Sequence, residues 1–266
     1  MNGLLNIRLH LCVIIISIIA ESIGIHVFSL GSGKVVLLPL LFSFLIAILI
    51  NPYIISSFEK LIPKSSLKAA GRLVTIAVMP FIAKFSLAIG PMLSEIVAAG
   101  PALILQEIGN LATMLFALPF AILVLKMGRE SIGATHSIAR EPNVALISDK
   151  YGLNSPEGVG VMGVYVVGTL FGSIFFSLMA GFLGSTDWFD IRALAMACGV
   201  GSGSMTAACS GALIAVVPDS KDTINAFAAT SNVMTYATGL YMSLFIALPL
   251  CEYMYKKLAK KPAQTN

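Results

Sequence analysis

Ile191-Arg-Ala-Leu-Ala-Met-Ala-Cys-Gly-Val-Gly-Ser-Gly-Ser-Met-Thr-Ala-Ala-Cys-Ser-Gly-Ala-Leu-Ile-Ala-Val-Val217 is apolar at both ends and interrupted in its middle by Gly199-Val-Gly-Ser-Gly-Ser204. If the run lies in a bilayer, the interruption cannot face lipid, because each unsatisfied amide or carbonyl in hydrocarbon costs several kcal/mol. It has to face protein or a wet cavity. Freed backbone groups, with the hydroxyls of Ser202, Ser204, Thr206 and Ser210, could then coordinate a cation or a polar solute. Exposed half-helix N-termini favour anions. Close packing of helices through small residues would produce the same pattern, and the sequence leaves both readings open.

The rest of the chain supplies the apolar setting. Of 266 residues, 57% are hydrophobic and 11% charged, against roughly 25% charged in an ordinary soluble domain. The mean hydropathy is +0.91. The apolar residues come in long runs, and a bilayer takes about 20 per helical crossing. These features predict an all-α, polytopic helical membrane bundle with glycine-broken or re-entrant helices, forming one integral membrane domain over residues 1–266.

Apolar segments run from Leu9 to Val27, Val35 to Ile50, Leu73 to Ile89, Gly158 to Leu183 and Ile191 to Val217, with a last one ending near Tyr253. The first is read as a span and not a cleaved leader, because Glu21 follows its apolar core at once and no small-x-small cleavage site is clear. Gly90 to Met127 is too long for one crossing, and Gly90-Pro91 and Gly100-Pro101 divide it. Lys60, Lys64, Lys68 and Arg72 mark a cytoplasmic loop, and Lys256, Lys257, Lys260 and Lys261 a cytoplasmic C-terminus. Both termini inside imply an even number of crossings, about eight within a range of six to ten. The approximate halves are 1–127 and 128–256, followed by a basic tail over 256–266.

The net charge of +4 sits beside apolar runs, so the expected partner is a lipid bilayer and not nucleic acid. Cys12, Cys198, Cys209 and Cys251 all lie in apolar segments and read as buried thiols, with no disulfide framework or metal spacing. No metal and no cofactor is expected.

Further candidates are polar residues in apolar surroundings. In Ser131 to Asn143, the residues Ser131, Thr135, Arg140, Glu141 and Asn143 surround Pro142, which forbids a continuous helical ladder. An amphipathic linker outside the membrane explains these charges; if the segment enters the membrane, they are costly and point to function. His136 reads as a hydrogen-bonded polar residue. Asn225, Asn232 and Thr235 share one helix face, either holding helices together or lining a path. Gln106, Glu107 and Asn110 are similar in the earlier half. Glu107 at a helix centre would cost about 2.5–3.5 kcal/mol to insert, which makes it, with Asn110, the candidate for H⁺ or Na⁺ coupling. Glu21 and Lys84 could snorkel from span ends.

Enzyme chemistry lacks a foothold. There is no HExxH or Walker A loop, and a serine elbow at Ser202 would need glycine where Val200 stands. An internal repeat is suggested in two competing registers. One pairs Gly128, Ser131 and Thr135 with Gly199, Ser202 and Thr206. The other pairs Ala98–Ile104 with Ala208–Ile214.

Gly128-Arg-Glu130, Ile132-Gly-Ala-Thr135, Arg140-Glu-Pro-Asn143 and Ser155-Pro-Glu-Gly158, with Arg8-Leu-His10 and Val36-Leu-Leu-Pro39, resemble an uncharacterised bacterial membrane family, domain of unknown function 3100. The similarity covers most of the chain and implies the bacterial cytoplasmic membrane as location, but no activity. More distantly, the broken helices are similar to those of elevator-type carriers such as the lysine exporter and ketodeoxygluconate permease groups.

The expectation is therefore a secondary transporter of a small polar or anionic solute, coupled to H⁺ or Na⁺. A homodimer is compatible with it. A passive channel, or a membrane scaffold without transport, remains the alternative.

Overall fold

The computed structural model describes residues 6–31, 33–60, 62–64, 80, 83–84, 86–136 and 138–259, except the side chains of Glu141, Thr169 and Leu170. Lys68, Arg72, Lys260, Lys261 and most of the span expected over 73–89 lie outside the described residues.

Helix α1 (Ile7–Ile23) starts at Asn6, whose side chain accepts from the Leu9 N–H at 3.2 Å, and stops at Gly24 with φ of +79°. The chain then departs from the expected pair of helical spans. Strands β1 (His26–Leu30) and β2 (Gly33–Leu37) form an antiparallel hairpin in which Val27 faces Val36 and Leu30 faces Gly33. Only then does α2 (Pro39–Leu49) begin. Gly31 at φ +61° supplies the tight turn, and the valines and Phe28 beside it suit a pleated strand better than a helix. β2 lies against a later helix, where Gly181 leaves room for Val36 and Ser177 donates to the Val36 carbonyl at 3.4 Å.

Beyond residue 90 come α3 (Leu93–Ala98) and α4 (Gly100–Pro119), the latter extended by a π turn over Phe120–Val124. One succession of elements then occurs twice. Short α5 (Glu130–Thr135), a break, and α6 (Arg140–Lys150) precede the long α7 (Pro156–Val167), π turn and α8 (Ser173–Gly184). Short α9 (Ile191–Gly199), a break, and α10 (Gly203–Val216) precede the long α11 (Lys221–Met242), π turn and α12 (Leu248–Leu258).

In both rounds the first short helix packs on the long helix that follows: α5 on α7, and α9 on α11. Glycine makes both crossings possible. A Cβ on Gly133 would overlap the Glu157 carbonyl, and one on Gly160 the Glu130 carbonyl; on Gly199 it would stand 2.5 Å from the Ala228 carbonyl oxygen. Neither sequence register pairs equivalent places. Gly128, Ser131 and Thr135 belong to α5 and its approach, whereas Gly199, Ser202 and Thr206 straddle the second break. Ala98–Ile104 joins α3 to α4, and Ala208–Ile214 lies inside α10.

The cysteine expectation is corrected in part. Cys12 and Cys251 are buried thiols, but Cys198 and Cys209 form a disulfide with Cα atoms 5.3 Å apart. In a continuous helix, eleven residues would separate them by about 16 Å. The break turns α10 back alongside the end of α9 and brings them together.

Among the described residues, two helical stretches, Gly100–Val124 and Pro218–Leu258, are long and apolar enough to cross a membrane. On α4 the outward face carries Ile104, Leu105, Ile108 and Phe116, and Phe116 is 77% exposed, while Glu107 on the inward face is 7% exposed. Such an inside-out helix suits a surrounding that is itself apolar and points to association with a membrane.

Gly133→Ala must displace the backbone of α7 and is expected to cost about 1–3 kcal/mol. Gly163→Ala, where a Cβ meets nothing within 4 Å, is expected to be neutral or to stabilise by up to about 1 kcal/mol. Thermal unfolding of the two purified variants checks the contrast.

Candidate functional site

The second break is held open by one side chain. Between α9 and α10 the backbone leaves its helical ladder, and the carbonyls of Gly199 and Gly201 lose their usual partners. Asn232 on α11, 2% exposed, donates its amide to both at 3.0 and 3.1 Å, and to Thr206 Oγ at 3.1 Å. Two amide hydrogens thus serve three acceptors. Beside them, Ser231 donates to the Met196 carbonyl at 2.7 Å and accepts from Gln106 at 2.7 Å.

The first break lies against the second. Arg140, the first residue of α6, donates to Ser202 Oγ at 2.9 Å and to the Tyr165 carbonyl, and its guanidinium stacks over the Tyr165 ring at 4.4 Å. Ser202 is the N-cap residue of α10 and lies 3.1 Å from Ser204 Oγ. A cation, two hydroxyls and the start of α10 therefore meet at one point. That set suits the oxygens of a carboxylate or phosphate group. The space beside Arg140, lined by Gly133, Val144, Val161 and Tyr165, is about 10 Å³, enough for one water. Larger clefts lie elsewhere, one of about 360 Å³ between Glu95, Asp190 and Arg192 and one of about 370 Å³ beside Lys126 and Tyr255. The crossing itself is closed in this conformation.

The helical part of 128–156 packs into this crossing, while residues 148–150, 153 and 154 are exposed. Ser131, Ile132, His136, Asn143 and Ile147 are all fully buried. His136 in the break donates through Nδ1 to the Ile132 carbonyl at 2.8 Å, and its Nε2 has no partner among the described residues. Thr135 donates to the Ser131 carbonyl, Ser131 to the Gly128 carbonyl and Ser210 to the Thr206 carbonyl. These three hydroxyls bond carbonyls three or four residues back, and Thr135 Oγ also lies 3.9 Å from Cys251 Sγ. Asn225 stands two turns before Asn232, outside the cluster. The backbone of Glu141 is in α6 but its side chain lies outside the described residues.

A second polar cluster adjoins the first across α11. Glu107 accepts from Thr235 at 2.8 Å, from Asn110 at 3.4 Å and from Gln106 at 3.5 Å on Oε1; Thr238 Oγ contacts its Oε2. Among the described residues it forms no ion pair. Gly239, one turn beyond Thr235, touches Ala139 of the first break, where a Cβ would come within 2.5 Å. Asn232, Thr235 and Gly239 thus place one face of α11 against both breaks and α4.

A third cluster was not foreseen. Arg129 bonds Glu157 and, at 2.7 Å, Glu252, which also accepts from Tyr151 at 2.7 Å. The guanidinium lies 6.0 and 5.8 Å from the rings of Tyr151 and Tyr255. Hydrogen bonding to Glu252 raises the Arg129 pKa above its ordinary value, against the opposing cost of burial and with help from Glu157. The group ties the approach to α5, the start of α7 and the end of α12 together. At the opposite kind of position, the turn before α9, Arg192 hydrogen bonds hold the Asp190 carboxyl down at about 2. It stays ionised as the N-cap of α9.

These features define a class: a helical protein with two stretches long and apolar enough to cross a membrane, built around two interrupted helices whose breaks meet. The model of the family of proteins of unknown function DUF3100 matches residues 18–257, and the chain belongs to that family. No curated protein and no solved structure matches it.

Asn232→Ala removes the donor from the buried Gly199 carbonyl and the half-buried Gly201 carbonyl and is expected to destabilise by about 1–3 kcal/mol. Ser210→Ala removes only a bond within α10 and should change stability far less. Denaturant or thermal unfolding separates them.

Proposed function

We propose that this chain is a secondary transporter that moves a small polar or anionic solute across the bacterial cytoplasmic membrane, coupled to H⁺ or Na⁺. The observation that carries the reading is the contact of Arg140 in one break with Ser202 in the other. Irregular backbone in an apolar bundle is tolerated where it lines protein or a solute path, and transporters place their sites at such paired breaks. The Arg140 guanidinium and the hydroxyls of Ser202 and Ser204 would hold the solute's oxygens. The carboxyl of Glu107, reached through Asn232 and Thr235 on the shared helix, would carry the coupling ion. About eight crossings, with both termini in the cytoplasm and two copies associating in the bilayer, complete the proposal. Because the crossing has room for little more than a water, solute entry requires the α5–α6 and α9–α10 units to separate.

A ligand-stabilisation screen on the purified protein tests this, with carboxylates, amino acids and sugar acids, each with and without Na⁺ and at two pH values. A binding solute at a hundred times its Kd is expected to raise stability by about 2.7 kcal/mol, and Arg140→Gln or Ser202→Ala should abolish the shift. No shift across the panel, or flux through vesicles that does not saturate, would sink the carrier reading; the second result would mean a pore.

A further inference from the structure

The two stretches long and apolar enough to cross a membrane, Gly100–Val124 and Pro218–Leu258, finish side by side. Helix α12 packs on the π turn that closes α4, and a cleft of about 370 Å³ opens between their ends. Ile122 and Leu123 line it from α4, and Tyr255 and Leu258 from α12. Lys126 is the single charged side chain among the lining residues. A cleft of this size accommodates a small molecule, whereas the crossing of the two breaks has room for about one water.

The cleft combines a free cation with an apolar approach. Lys126 is exposed and, among the described residues, forms no ion pair. The acids on the adjoining elements are already engaged: Glu130 bonds the Gly128 N–H, and Glu252 pairs with Arg129. Lys256 and Lys257, both exposed, stand on the same last turn of α12 as Tyr255 and Leu258. Lys126 also holds φ at +54°, in the left-handed region where glycine or asparagine more often ends a helix. The chain keeps a cation there in spite of its backbone. Back along α4 an apolar track leads away from the cleft. Phe116, Phe120 and Val124 follow at intervals of four residues, so they share one side of the helix, and all three are exposed. Leu123, also exposed, joins this track to the cleft. Such a surface complements a molecule with an anionic head and a hydrocarbon tail.

We propose that this cleft binds one anionic phospholipid, with the headgroup phosphate at Lys126 and an acyl chain laid along Leu123, Val124, Phe120 and Phe116. Basic residues at the end of a membrane helix attract anionic headgroups, and Lys256 and Lys257 keep the surroundings positive. Tyr255, with an apolar ring and a polar hydroxyl, suits the boundary between head and tail. Its ring lies 5.8 Å from the Arg129 guanidinium, so the lipid seats beside the cluster that ties α5, α7 and α12 together. The site rests on the two stretches crossing a membrane and not on transport.

The test is native mass spectrometry of the full chain released from detergent micelles, titrated with phosphatidylglycerol or with phosphatidylcholine of the same acyl chains. The complex with one phosphatidylglycerol is expected to be at least about five times tighter, the effect of one lysine beside a headgroup. Lys126→Asn, which suits the left-handed backbone and removes the charge, should remove about that factor. Leu123→Gln should weaken binding of both lipids. Equal affinity for the two lipids, or a preference that Lys126→Asn leaves intact, overturns the proposal. Full displacement of phosphatidylglycerol by an equal concentration of glycerol phosphate also overturns it, because the site would then take a water-soluble anion. Lys126→Gly keeps the test open if Lys126→Asn does not fold. An alkaline carbonate wash of vesicles carrying the chain separates the two levels. A chain that stays in the vesicles yet shows no lipid preference rejects the site alone, and a chain that washes out rejects the crossing and the site with it.

Discussion

Everything in the centre of this protein depends on satisfying backbone groups where a helix stops inside an apolar bundle. The carbonyls of Gly199, which is buried, and Gly201, which is half-buried, fall where the helical ladder is broken. One amide, that of Asn232, supplies their donors at 3.0 and 3.1 Å. That arrangement requires α11 to lie within hydrogen-bond distance of the break, and Gly199 is what lets it approach, since any side chain there would strike the Ala228 carbonyl. The glycines and the asparagine are two halves of one solution: small residues remove the steric barrier, and the amide replaces the lost ladder.

The consequence is that α11 becomes a shared support. Successive turns of one face present Ser231 and Asn232 to the second break, Thr235 and Thr238 to Glu107 on α4, and Gly239 to Ala139 in the first break. A displacement of this helix is felt at all three places. Buried hydroxyls and amides that are fully paired favour one arrangement strongly, because any partial arrangement leaves polar atoms unpartnered in apolar surroundings. Repacking between two such arrangements is the kind of discrete change that the proposed transport would need. On α4 the polar Glu107 and Asn110 are inside and Ile104, Leu105, Ile108 and Phe116 are outside, which suits an apolar surrounding.

Much of the centre was legible in the residues. A run of glycine and serine in an apolar segment announces a break, and Asn232 with Thr235 announces a polar face by helical spacing. Glu107 stands out because a carboxylate in an apolar run is costly wherever it goes. Other features left weaker traces. The hairpin at 26–37 falls where apolar runs predict the ends of two spans, because hydropathy alone does not separate an apolar strand from the end of an apolar helix. The Arg129 cluster unites residues 28 and 123 positions apart, and charge balance along the chain gave no hint of it. Thr238 follows Thr235 on the same face, a signal that spacing alone could have ranked higher.

The sequence by itself determined that the chain is helical and apolar, and that it is interrupted at two places where glycine, proline and hydroxyl residues replace the regular pattern. Those properties follow from local chemistry: residue volume, backbone freedom and the cost of polar groups. Only the tertiary structure decided which partner each polar residue has. It closed Cys198 onto Cys209, sent the hydroxyls of Ser131, Thr135 and Ser210 to nearby backbone carbonyls, brought Arg140 to Ser202, and gave Glu107 its threonines. The reason is that a hydrogen bond is set by distance and direction in space, and the partners here are brought together by breaks and crossings whose geometry no local pattern specifies.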